Sequence, residues 1–75
     1  MYIDANIEIV KDTNNRMLMA GTKCDIAFDF DYCDDFDDVI QAIEEKIFED
    51  FKISLTHNVD FIITNADDIC DEFGY

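Results

Sequence analysis

Over residues 2–10 the chain alternates: Ile3, Ala5, Ile7 and Ile9 share one parity, and Asp4, Asn6 and Glu8 share the other. A period of two puts every second side chain on the same face of an extended backbone, so a strand with one buried face is predicted. The polar run KDTNNR (11–16) interrupts the alternation, and its Asn and Asp side chains suit a turn. A second extended region is predicted from Met17, with Ala20-Gly21 as a bulge in one long strand or the turn between two short ones. Alternation returns in TKCDIAFDFDY. Cys24, Ile26, Phe28, Phe30 and Tyr32 face one way, and Asp25, Ala27, Asp29 and Asp31 the other, so this strand is predicted to reach Tyr32.

The period then changes. Phe36, Val39, Ile40, Ile43, Ile47 and Phe51 recur at three- and four-residue spacing in FDDVIQAIEEKIFEDF, the stripe of an amphipathic helix packed on a sheet. Asp34-Asp35 precede it, where carboxylates cap free backbone N–H groups and sit at the positive end of the helix dipole. Asp38, Glu45 and Glu49 fall on the face away from the stripe. Beyond the helix, Ile53, Leu55, Val59, Phe61 and Ile63 share odd parity, which fits one long strand or two strands around Thr56-His57-Asn58. Thr64 or Asn65 is predicted to cap a short last helix over residues 66–73, with Gly74 as its stop. The order β-β(-β)-α-β(-β)-α is an α+β fold: a small antiparallel sheet of three to five strands, one amphipathic helix across a face, and a short C-terminal helix. No repeat or linker divides residues 1–75, which are expected to form a single domain.

Composition supports a core. A chain of this length buries only about 60% of the surface its unfolded form exposes. Yet 49% of its residues are apolar, with seven Phe and three Tyr, too many for a disordered acidic tail. Charge changes the picture more. Nineteen Asp and Glu against five Lys and Arg give a formal net charge of −14. Nucleic acid and anionic membranes would be repelled, so neither is expected as a direct partner. A basic protein surface is favoured, and such surfaces mostly belong to proteins that bind nucleic acid. No apolar run approaches the roughly eighteen residues of a membrane-spanning helix. MYIDANIEIV lacks the basic start and apolar stretch of a signal peptide, and three cysteines do not close a disulfide set. The expected compartment is the cytoplasm, that of the host cell if the protein is phage-encoded, with reduced thiols.

Candidate chemistry is thin. Asp29-x-Asp31 begins like a calcium loop, but Asp34 stands at the sixth position where Gly is needed and Ile40 at the twelfth where Glu is needed. Cys24, Cys33, His57 and Cys70 lack the short spacing of a zinc site, and the cysteines are expected to behave as small core hydrophobes. One His, no Gly-rich loop and acid pairs that arise by chance offer no catalytic site. No enzymatic activity, metal or cofactor is expected.

There remains the row of carboxylates. Asp25, Asp29 and Asp31 lie on one predicted strand face and continue into Asp34, Asp35, Asp37 and Asp38. Alternate strand residues are about 6.7 Å apart, of the same order as neighbouring phosphates on a nucleic-acid strand. Asp38, Glu45 and Glu49 make a second patch, and Tyr32 and Phe36 offer an apolar anchor beside them. In size and charge the chain is similar to the small acidic inhibitors that phages and mobile elements direct against host defences, including DNA-mimicking anti-restriction proteins and several anti-CRISPR proteins. That likeness assigns no role to any residue. It implies an inhibitor that occupies the nucleic-acid groove of a basic nucleic-acid-binding protein or ribonucleoprotein complex, with a monomer favoured over a dimer because copies repel. The alternatives are an immunity protein or antitoxin that neutralises a basic nuclease, a small structural or divalent-metal-responsive module, and a face that is acidic only for solubility.

Overall fold

A computed structural model describes residues 1–74 of the chain. Its middle strand, β1 (Tyr2–Ile9), pairs antiparallel with β2 (Lys23–Asp29) on one side and with β3 (Phe61–Ile63) on the other. Helix α1 (Phe36–Phe51) follows β2, and the short helix α2 (Ala66–Glu72) follows β3. The fold is α+β, as the alternating and helical periods predict.

The β1–β2 register runs from Tyr2 opposite Asp29 to Glu8 opposite Lys23. It sets Ala5, Ile7 and Ile9 beside Ile26 and Phe28 on one face, joined by Phe61 and Ile63 of β3. Against this face α1 lays Val39, Ile43 and Ile47, while Leu18, Leu55 and Ile69 close the edges. Every fully buried side chain among the described residues is apolar. Each large one contributes about 1.5–3 kcal/mol by leaving water.

Helix α1 starts where its carboxylates make it start. Asp35 is extended, and its side chain accepts the Asp38 N–H at 3.0 Å. The Asp38 carboxylate accepts the Asp34 N–H at 2.9 Å in return, so two otherwise unpaired donors are satisfied reciprocally. At the other end Lys52 is left-handed, with φ 58, and its N–H donates to Phe48 O at 2.8 Å.

Four segments depart from the sequence expectation. The region from Met17 is a set of turns rather than a strand, because side chains take its backbone groups. Thr13 donates to Leu18 O at 2.8 Å, Asn15 accepts the Met17 N–H at 2.8 Å, and Asp12 accepts the Ala20 N–H at 2.9 Å. Ala20-Gly21 is a turn within the β1–β2 connection, and Gly21 supplies its positive φ of 91. β2 ends at Asp29 instead of Tyr32. There the Asp29 carboxylate accepts the Asp31 N–H at 3.1 Å and caps a single 3-10 turn, Phe30–Tyr32, that swings Phe30 onto Phe73 with ring centroids 4.6 Å apart. After α1 only Phe61–Ile63 is strand among the described residues. Asp60 accepts the Thr56 N–H at 2.9 Å and folds residues 56–60 into a tight loop, with Asn58 at φ 66 and Val59 exposed. Finally, Asn65 precedes α2 but its side chain does not cap it. The amide instead accepts the Asn6 N–H at 2.8 Å and donates to Asp4 O at 3.0 Å.

Candidate functional site

Two sets of contacts fix the ends of the molecule. Phe30 donates to Met1 O at 2.8 Å and its ring meets Phe73, so the start of β1, the end of β2, the 3-10 turn and the end of α2 meet at one pole, with the start of α1 following directly. Ile9 donates to Thr22 O at 2.8 Å and Asn15 Nδ2 to Phe51 O at 3.5 Å. The end of β1, its connection to β2 and the end of α1 therefore meet at the other.

This topology sorts the charges. Asp29, Asp31, Asp34, Asp35, Asp37 and Asp38 cluster at the first pole. Lys11, Arg16, Lys23 and Lys52, every cation of a side chain except Lys46, lie toward the second, where Glu8, Asp12 and Asp50 bring them close to balance. The negative charge is therefore concentrated along one pole and one flank.

The predicted site residues take different duties there. Asp25 is exposed on the outer face of β2 and accepts no hydrogen bond among the described residues; exposed Asp34 and Asp37 likewise have unpartnered carboxylates. Asp35 and Asp38 are engaged in capping α1. Asp29 is half-buried and, with Asp31, holds the Met1 ammonium at 3.4 and 2.5 Å. The hydrogen bond it donates to the Asp31 carboxylate raises that ammonium's pKa above 8.0, against a smaller desolvation cost and with help from Asp29. Tyr32 is 84% exposed and stands free at the pole. Phe36 is half-buried, its ring 6.5 Å from that of His57, so it belongs to the rim of the core.

The carboxylates do not form a straight row. Ala27 separates Asp25 from Asp29, about 13 Å apart along the strand, and the 3-10 turn takes Asp31 out of line. Glu45 and Glu49 extend the surface along α1. With Tyr2, Ala27, Tyr32, Ala42 and Lys46, whose ammonium lies 3.8 Å from Glu49, they border an open groove of about 430 Å³ between α1 and β2. Tyr2, 71% exposed, is a site residue that the sequence reading lacks. Its even parity with Asp4, Asn6 and Glu8 is the signal that places it on the outer face.

The remaining candidates are structural. Cys24 and Cys33 pack half-buried against the core, and both thiols are pushed up above 9.0, first by burial. Asp25 adds to the effect at Cys24; at Cys33, Asp38 leads, followed by Asp29, Asp34 and Asp35. His57 donates its backbone N–H to Glu44 at 3.0 Å, and its ring packs edge-to-face with that of Phe61, centroids 5.6 Å apart. Among the described residues no group of three or more His, Cys, Asp or Glu is arranged to hold a metal ion, and no helix is long and apolar enough to cross a membrane. What the surface can do is present carboxylates, several fixed by hydrogen bonds, to a cationic partner. No known protein family, curated protein or solved structure matches the chain.

Proposed function

We propose that this protein is a small acidic inhibitor that binds the basic nucleic-acid-binding surface of a defence complex in the host cytoplasm. The observation that supports this reading above all is the sorting of charge: an acidic pole and flank built from Asp25, Asp29, Asp31, Asp34, Asp35, Asp37, Asp38, Glu45 and Glu49, with every side-chain cation but Lys46 toward the far end. A charged surface kept only for solubility works equally well with its charges mixed. A surface that must enter a cationic groove works best when its cations are elsewhere.

The mechanism is electrostatic. A groove that binds phosphates holds lysine and arginine side chains whose charge is matched by mobile ions, and an acidic face releases those ions as nucleic acid does. Attraction over the Debye length, about 8 Å at physiological salt, steers the encounter and speeds association. The test is capture from host lysate on the immobilised protein at low salt, followed by elution with DNA or RNA. A basic nucleic-acid-binding complex released by nucleic acid, and lost on the triple substitution Asp31→Asn, Asp34→Asn, Asp37→Asn, is the expected result. Retention unchanged by several-fold more salt would refute the reading. Recovery of a lone basic nuclease would make the protein an immunity factor instead.

A further inference from the structure

The two edges of the sheet are finished differently. On the β3 side the Asn65 amide covers Asn6 N–H and Asp4 C=O of β1 where β3 has ended, and Asn58 N–H donates to Phe61 O from outside β3. β2 is the opposite edge, and among the described residues no strand pairs with its outer side. The bonds that bracket the β1–β2 ladder, Phe30 N–H to Met1 O and Ile9 N–H to Thr22 O, fix its parity. Bonded pairs alternate in an antiparallel ladder, so Cys24, Ile26 and Phe28 turn their amides to β1 while Lys23, Asp25 and Ala27 turn theirs to solvent.

We infer that this open edge takes an extended, lysine- and arginine-rich segment of the basic partner as an added strand. The inference rests on the reading above that the partner is basic, and it names how that partner is held. An added strand lies about 4.8 Å from β2, with side chains alternating between two faces. On the helix side they enter the groove and meet Glu45 and Glu49; on the open side they pass Asp25. Glu45 and Glu49 outnumber Lys46 on the helix side, as Asp25 and Asp29 outnumber Lys23 on the open side, so both faces favour cations, and the exposed Tyr32 and Tyr2 rings can receive them. The same charges exclude a second copy of this chain. Symmetric pairing about Ala27 would set each Asp25 opposite the other copy's Asp29, between molecules of net charge −14.

The test uses the full chain, isotopically labelled, with an octapeptide repeating Arg-Arg-Thr-Thr so that arginines reach both faces, and with the same peptide N-methylated at alternate amides to keep charge but remove strand donors. On saturation, amide exchange at Asp25 and Ala27 is expected to slow about tenfold or more, and methylation to weaken binding by about the same factor. Ala27→Pro deletes an outward N–H and leaves the β1–β2 ladder intact, so the variant is expected to fold and to lose binding similarly. The pair Glu45→Gln, Glu49→Gln provides a second variant that leaves the backbone untouched and also weakens binding. Unchanged exchange at Asp25 and Ala27 with peptide bound, equal binding of the two peptides, or no binding of either would overturn the inference. If lysate capture succeeds and Ala27→Pro captures the partner equally well, the added strand is refuted and the acidic-pole reading stands. If lysate capture fails, that reading falls whatever the peptide does.

Discussion

The carboxamide of Asn65 carries both halves of a strand pairing, accepting from Asn6 N–H at 2.8 Å and donating to Asp4 O at 3.0 Å. Asn65→Ala strips two edge groups of their partners, at a cost of about 1–2 kcal/mol because water reaches the site. A urea melt checks it: the midpoint is expected to fall with the slope unchanged. Sequence places Asn65 at a helix start, where an amide cap is the ordinary use, but contains nothing to say that β3 stops short and leaves β1 groups in need of it. Three other groups, the Met1 ammonium and the Cys24 and Cys33 thiols, have pKa values raised by folding. Such a group stabilises the fold fully below its unfolded value, and the contribution drains as pH rises through the folded one. The window opens above pH 8.0 for Met1 and above 9.0 for the thiols. Melting temperature followed from about pH 7 to about pH 10.5 is expected to fall on the alkaline side. Asp31→Asn should flatten the first part of the fall and Cys33→Ala the second.

At the scale of elements, the start of α1 uses its acids for two purposes. Asp35 and Asp38 cap the helix, whereas the Asp34 and Asp37 carboxylates bond to nothing among the described residues. Asp35→Ala is therefore expected to cost about 0.5–2 kcal/mol. The triple substitution Asp25→Asn, Asp34→Asn, Asp37→Asn is expected to change the melting temperature little, since relief of repulsion offsets the lost attraction of Asp34 and Asp37 to the helix dipole, while weakening capture of the basic partner. Calorimetry on both variants beside the lysate capture separates folding acids from binding acids. The helix is legible in the sequence because stripe, cap and length agree there. The strands are less so. Leu18 and Leu55 are buried from loops, and Leu55 carries the same parity signal as strand residues. In FDFDY the alternation continues past Asp29 although its side chain has already turned the backbone. Periodicity reports which side chains are buried, and a side-chain hydrogen bond decides whether the backbone between them stays extended.

Across the whole molecule, the net charge is legible in the composition but its polarity is not. Asp31 and Lys23 are eight residues apart and lie toward opposite poles only because β2 runs between them. The longest dimension is 36 Å, and at 0.01 M salt the Debye length is about 30 Å, so every carboxylate feels nearly every other. At 1 M it is about 3 Å and only neighbours interact. The ion pairs among the described residues that screening can weaken are Met1 with Asp29 and Asp31, and Lys46 with Glu49 at 3.8 Å, all with exposed members. Exposed pairs contribute little to stability, too little to offset the self-repulsion of a net charge of −14. Sodium chloride should therefore raise the melting temperature steadily across that range while it weakens association with the basic partner. The opposite signs of the two responses are the expected outcome, read by thermal melts and binding titrations in the same buffers. A melting temperature that falls with salt would mean that local ion pairs dominate, and an acidic pole under no strain of its own would leave charge repulsion without a role in either the fold or the binding.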